Sequence, residues 1–164
     1  MYRPRLDIRN DTNEARVHLR VERKTDESWA SSPAVRQSMQ GNRSRDTRPE
    51  RLVRSELHRR GLRFLVDARP VRSIPRRADI VFRGSRLAVF VDGCFWHGCP
   101  IHYRTPRTND SYWLAKVDTN RARDRDTDDR LTRAGWSAVR VWEHDNPTVA
   151  ADRIQEAVAK SRRL

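Results

Sequence analysis

At 164 residues the chain has room for one domain of ordinary size, with a core adequate for independent folding. Its formal charge is +13, its pI is near 11.2, and arginine far outnumbers lysine. Such a surface attracts a polyanion, nucleic acid before any other, although high genomic arginine usage also raises charge. No run of about 18 apolar residues is present to span a membrane, and the N-terminal MYRPRLDIRN lacks the apolar segment of a secretory signal. A cytoplasmic location follows as the simplest expectation, and there two nearby cysteines serve as metal ligands more often than as a disulfide.

Residues 1–33 are polar and charged without a sustained apolar period and read as a flexible basic tail; residues 34–164 read as a single domain. The stretch 32–48 is basic, with Val35 and Met39 its only large apolar residues. Thr47-Arg48-Pro49-Glu50 has the form of a capping box with proline at an early helical position. Leu52, Val53 and Leu57 give the helix behind it an apolar stripe, and Gly61 ends it. Leu62 to Val66 reads as a strand and 67–77 as a loop with two prolines and four arginines. Two nearly continuous apolar runs follow, Ala78–Phe82 and Leu87–Val91, joined by Arg83-Gly84-Ser85, as expected for central strands covered on both faces.

Asn109 or Asp110 caps the next helix, which runs to about Ala134 with Gly135 as its stop. Trp113, Leu114, Val117 and Leu131 suit its buried side, but Asp124 and Asp128 interrupt the stripe. Ser137–Glu143 is a further strand, and Asn146-Pro147 opens a last helix with Ala150, Ile154 and Val158 on one face. The order α-β-β-β-α-β-α predicts an α/β fold, a mixed central sheet flanked by helices.

The segment FVDGCFWHGCPIH (90–102) concentrates the chemistry, with both cysteines, two of the five histidines and an adjacent aromatic pair. Cys94-x4-Cys99-x2-His102 supplies three thiolate or imidazole donors, and a tetrahedral zinc site needs four. His144, directly after the strand VRVWE, is the best fourth; His97 and Asp92 are the alternatives. Asp79 lies early in an otherwise apolar strand, where an isolated carboxylate is expensive to bury. Asp92 ends the neighbouring strand, so a hairpin brings two carboxylates together at a site suited to Mg2+. A plain ion pair from Asp79 to Arg76 or Arg77 is the rival reading.

These residues resemble the very short patch repair (Vsr) endonucleases. The resemblance is carried by RQSMQGNRSRDTRPE (36–50), RRADIVF (76–82), FVDGCFWHGCP (90–100), the Tyr112-Trp113 helix start with NRARD (120–124), and GWSAVRVWEH (135–144), covering roughly two-thirds of the chain in order. It implies a restriction-endonuclease-like fold and an enzyme that nicks double-stranded DNA beside a T:G mispair left by deamination of 5-methylcytosine. Asp79 matches the family's Mg2+-binding aspartate, and Val91 matches the position whose backbone carbonyl assists. His97 matches the general acid or base, and Glu50 a helix-start glutamate linked to catalysis, which also completes a capping box with Thr47. Phe95, Trp96 and Trp113 match aromatics that wedge into the duplex. Cys94, Cys99, His102 and His144 fall on the structural zinc site. Met39, Arg43 and Arg45 in the first motif join the DNA contacts.

Two departures are visible. Ala78 replaces the usual proline before the metal aspartate, and Asp92 stands where some members have histidine, exchanging a phosphate donor for a second acid. The expected reaction is Mg2+-assisted phosphodiester hydrolysis by a monomer at the nucleoid, with mismatch-repair proteins as possible partners and arginines of 36–48 and 69–77 holding the DNA backbone. The rivals are a restriction-type nuclease of the same fold acting at another DNA site, and a DNA-binding module without activity. RNA binding is disfavoured by the lack of an aromatic RNA-recognition motif.

Overall fold

A computed structural model of the chain describes residues 45–161. The tail 1–33, Met39 and Arg43 lie outside the described residues.

The first described helix, α1 (Arg48–Arg59), starts as its capping box dictates. The Thr47 hydroxyl donates to Glu50 Oε1 at 2.8 Å, and the Asp46 N–H donates to Glu50 Oε2 at 2.8 Å. Its buried residues, Glu50, Val53 and Leu57, recur at helical spacing. Leu52 sits one position, about 100°, off that stripe and is 45% exposed, so it is not part of the core as expected. Gly61 ends the helix at φ +75°, a conformation favouring glycine, and the Leu62 N–H closes the terminus on the Leu57 carbonyl. Because Leu62 is used there, strand β1 (Leu65–Ala68) begins three residues later than predicted.

Strands β2 (Ala78–Phe82) and β3 (Leu87–Asp92) flank a single 3-10 turn over Arg83–Ser85, with Arg86 left-handed at φ 43°. Helix α2 (Asp110–Arg133) then crosses to β4 (Ser137–Trp142), and α3 (Pro147–Ser161) closes the described part. The α-β-β-β-α-β-α order is as predicted. The sheet runs β1-β2-β3-β4; the first two pairings are antiparallel and β3–β4 is parallel, from Leu87↔Ser137 to Asp92↔Trp142. A parallel pair needs a long crossover, and α2 provides it.

Helices cover both faces of the sheet. On one, Val53 and Leu57 of α1 and Ala150, Ala151, Ile154 and Val158 of α3 pack on Ile80, Phe82, Leu87, Val89 and Val141. On the other, Leu131 of α2 packs with Ile74, Ala78, Val81 and Ala88. The buried stripe of α2 is Trp113, Val117, Asn120, Thr127 and Leu131; Leu114, expected inside, is 45% exposed because it lies off that line. Asn109 occupies the N-cap position in left-handed backbone, while the Asp110 carboxylate accepts from the Ser111 N–H. Among the described residues no helix is long and apolar enough to cross a membrane. This topology brings the start of β2, the ends of β3 and β4, the 93–109 loop and the polar middle of α2 to one edge of the sheet.

Candidate active site and Cys/His metal centre

At that edge lies an open cleft of about 1020 Å³, lined by Glu50 of α1, Asp79 of β2, Val91 and Asp92 of β3, His97 of the loop, Asn120, Arg123 and Asp124 of α2, and Arg140 of β4. Arg48, Arg51 and Lys116 add positive charge to the lining. An acidic centre bordered by cations suits a polyanion whose scissile group must approach carboxylates.

Asp79 is the second residue of β2 and partly buried, and its Oδ2 accepts the Val91 N–H at 2.7 Å. The ion-pair alternative does not form: Arg77 Nε binds Asp67 Oδ1 at 2.6 Å, and Arg76 lies 3.8 Å from Asp126. Burial pushes the Asp79 carboxyl up to about 6; the Val91 N–H opposes the rise, and the charges of Glu50 and Asp92 add to it. A carboxylate held like this gains from a bound cation. Glu50 is 5% exposed and lines the same cleft, so it completes the capping box and faces the site together.

His97 Nδ1 lies 2.6 Å from Asp124 Oδ2 and 3.7 Å from Asp92 Oδ1. With the proton assigned to Nδ1, the imidazole donates to Asp124 and leaves Nε2 as an acceptor. Asp92 is buried, and that burial raises its pKa while Arg140 and His97 pull it down. Both Asp92 oxygens accept from Arg140 Nη1, at 2.8 and 3.0 Å. Arg140 also reaches Asp128 (Nε–Oδ2 3.0 Å) and Asp124 (Nη2–Oδ1 3.3 Å). Burial works against the Arg140 cation, but these carboxylates more than offset it and raise its pKa. Asp124 is held below the usual carboxylate range: burial acts to raise it, and His97 and Arg140 outweigh that.

Phe95, Trp96 and Trp113 form one aromatic block, with centroids 5.3 Å apart for Phe95–Trp96, 5.2 Å for Phe95–Trp113 and 6.1 Å for Trp96–Trp113. Trp113 is only 5% exposed and backs the other two, which are half-buried. The loop is tied to α2 by Asn120, whose Nδ2 donates to the Trp96 carbonyl at 2.7 Å, and by Arg121, which donates to the Gly98 carbonyl. Gly98 has φ +62°, and a Cβ there would come within 2.6 Å of Val117 Cγ1.

Ligand atoms of Cys94, Cys99, His102 and His144 all lie within 4.8 Å of one another, with Cys94 Sγ 3.0 Å from His144 Nδ1 and 3.7 Å from His102 Nδ1. Two thiols and two imidazoles at this separation fit a tetrahedral metal ion. The Cys94 thiol is pushed up to about 12, by burial first and then by Cys99; a bound cation reverses such a shift by stabilising the thiolate. Glu143 Oε1 accepts the Cys94 N–H at 2.6 Å, tying this cluster to the end of β4. His144 therefore completes the group, while the alternatives His97 and Asp92 are engaged with Asp124 and Arg140.

Residues 30–102 match the family described as DNA mismatch endonuclease Vsr. Over 124 residues the chain is 44% identical to the type II nicking enzyme V.NaeI of Lentzea aerocolonigenes, covering 74% of this chain and 70% of that protein. The chain belongs to the Vsr family. It is also 44% identical over 107 residues to the type II nicking enzyme V.XorIIP of Xanthomonas oryzae pv. oryzae (64% of this chain, 76% of that one). Against DNA mismatch endonuclease Vsr of Escherichia coli K12 it is 38% identical over 108 residues (65% and 67%).

This Vsr-family protein is a DNA endonuclease that hydrolyses phosphodiester bonds. Of the residues singled out in its sequence, Glu50, Asp79, Val91, Asp92, Trp96 and His97 meet in the cleft. Phe95 and Trp113 stand beside it, and the four metal-site residues form a separate cluster. Arg45, Arg76 and Arg77 of the basic stretches are drawn into pairs with Asp67 and Asp126. Sequence reading assigned no role to Asp124, Arg140, Asn120 or Glu143. The one signal for Asp124 was its intrusion into an apolar stripe within the NRARD motif.

Proposed function

We propose that this Vsr-family endonuclease nicks one strand of double-stranded DNA beside a T:G mispair, using Mg2+ at Asp79, with Zn2+ in the Cys/His cluster. The observation that carries the reading is the partly buried Asp79 carboxylate, next to the Val91 backbone, in one cleft with the His97–Asp124 pair. Asp79 and the Val91 carbonyl would hold the divalent ion, with Glu50 as the second acid facing the site. When bound, that ion supplies charge neutralisation at the phosphate and a water of lowered pKa. His97, oriented through Nδ1 by Asp124, is the group that moves a proton at Nε2. Asp92 belongs to the same catalytic group through its contacts with His97 and Arg140.

Arg48, Arg51, Lys116 and Arg123 are suited to hold phosphates from both sides of the cleft, with Met39, Arg43 and Arg45 adding contacts; affinity then falls steeply with salt. The Phe95–Trp96 pair, backed by Trp113, is the wedge that unstacks the duplex beside the mispair. Zinc holds the loop that carries Phe95 to His97 and takes no part in bond cleavage. The fold is read as restriction-endonuclease-like, the enzyme as a monomer acting at the nucleoid in the cytoplasm, and mismatch-repair proteins as its possible partners.

A second reading comes from V.NaeI and V.XorIIP, which are type II nicking enzymes: cleavage at another defined DNA site. The test is nicking of a labelled duplex with a single T:G mispair beside its T:A control, in Mg2+, with and without Asp79→Ala. A nick in the T strand of the mispaired duplex alone, lost in the variant, is the expected result. Equal cutting of both duplexes would replace the mispair with a defined-site substrate. Binding without cutting in any context would leave a binding module.

A further inference from the structure

Arg140 is the fourth residue of β4, opposite Phe90 in the parallel ladder, and its guanidinium carbon lies 4.6 Å from the Phe90 ring centroid. The ring fixes the plane of the guanidinium from one side. Around it stand three carboxylates from two elements: Asp92 at the end of β3, and Asp124 and Asp128 one turn apart on α2. Asp124 is shared, since Oδ1 faces Arg140 Nη2 at 3.3 Å while Oδ2 faces His97 Nδ1 at 2.6 Å. The position of His97 therefore depends on Asp124, and that of Asp124 on Arg140. Asp92 grips Arg140 from the sheet side with both oxygens.

Resting on the function proposed above, we propose that Arg140 and Asp92 form one coupled positioning pair that sets the His97–Asp124 dyad in the cleft. The buried Asp92 anion demands a cation beside it, and Arg140 answers it at 2.8 Å. A buried ion pair of this sort fails badly when one partner is removed and much less when both are. Lysine cannot substitute, because its compact charge cannot engage three carboxylates in fixed directions as a planar five-donor fork does.

Wild-type nicking is established first in the assay above; if the wild type cuts nothing, the functional reading falls, whatever Arg140 does. Given activity, Arg140→Lys is expected to lower kcat at saturating duplex by about tenfold to a hundredfold. DNA Kd without divalent metal, zinc content and Tm should stay close to wild type. Arg140→Met should lose both Tm and kcat, and adding Asp92→Asn should recover Tm but not kcat. Wild-type kcat in Arg140→Lys, or recovery of kcat along with Tm in the double variant, overturns the proposal. Should every Arg140 variant fail to fold, Asp128→Asn decides, since that carboxylate is 37% exposed and still orients Arg140. A several-fold loss of kcat with unchanged Kd supports the pair, and wild-type kcat overturns it.

Discussion

The two faces of the sheet are covered in different ways. Under α1 and α3 the filling is apolar, from Leu57, Ile80, Phe82, Leu87, Val89, Ile154 and Val158, and only Glu50 at the start of α1 turns from it to the cleft. Under α2 the buried apolar side chains are Trp113, Val117 and Leu131, and between them the helix turns Asn120, Asp124 and Asp128 towards the Trp96 carbonyl, His97 and Arg140. Burial of Leu57 or Ile154 stabilises by about 1.5–3 kcal/mol each, whereas a buried ionic network contributes little net stability and fixes geometry instead. One face holds the fold, and the other gives up apolar contact to hold a site.

The largest expected effect comes from Asp79→Asn, which removes a carboxylate whose charge burial disfavours. Nicking should fall by about 10³-fold, while stability moves the other way. The folded-state pKa is raised from 3.8 to about 6, so the protonated form is favoured on folding and stability declines as pH rises from 3.8 through 6. At pH 8 the variant should be about 2–3 kcal/mol more stable than the wild type, and at pH 3 no more stable. Thermal melts in Mg2+-free buffer at the two pH values check this, and added Mg2+ should narrow the gap. Ile154→Ala, on the apolar face, should cost about 2–5 kcal/mol in urea unfolding, with kcat per folded molecule unchanged; a comparable loss of kcat would dissolve the contrast between faces.

Smaller changes sharpen the comparison. Glu143→Ala removes the acceptor of the Cys94 N–H; with Zn2+ as the probe for the proposed metal site, affinity should fall about tenfold, read by competition with a chromophoric chelator, without unfolding the apolar face. Leu114→Ser is the control: although α2 carries the site, this side chain is 45% exposed and the change should stay within about 0.5 kcal/mol.

How much of this was legible depended on the range of each interaction. The capping box of Thr47 and Glu50, the glycine stops and the apolar runs of β2 and β3 involve neighbours in sequence, so their pattern is written locally. Leu52 and Leu114 were misplaced inside because being apolar does not say which side of a helix a residue faces. The start of β1 was read three residues early because the Leu62 N–H is spent on the helix terminus. In sequence Asp124 and Asp128 only interrupt an apolar stripe and Arg140 carries no signal; each makes sense only against the other.

By itself the sequence determined the element order, both apolar faces, the three-donor run Cys94–Cys99–His102 and the family, because periodicity, spacing and motif order are properties of one dimension. Only the tertiary structure decided that His144 completes the metal cluster, that Asp79 pairs with a backbone N–H rather than an arginine, and that Arg140 joins β3 to α2 beneath His97. The Asp79 contact needs the antiparallel β2–β3 pair, and those of His144 and Arg140 link residues far apart in the chain through a parallel strand pairing across a 24-residue helix.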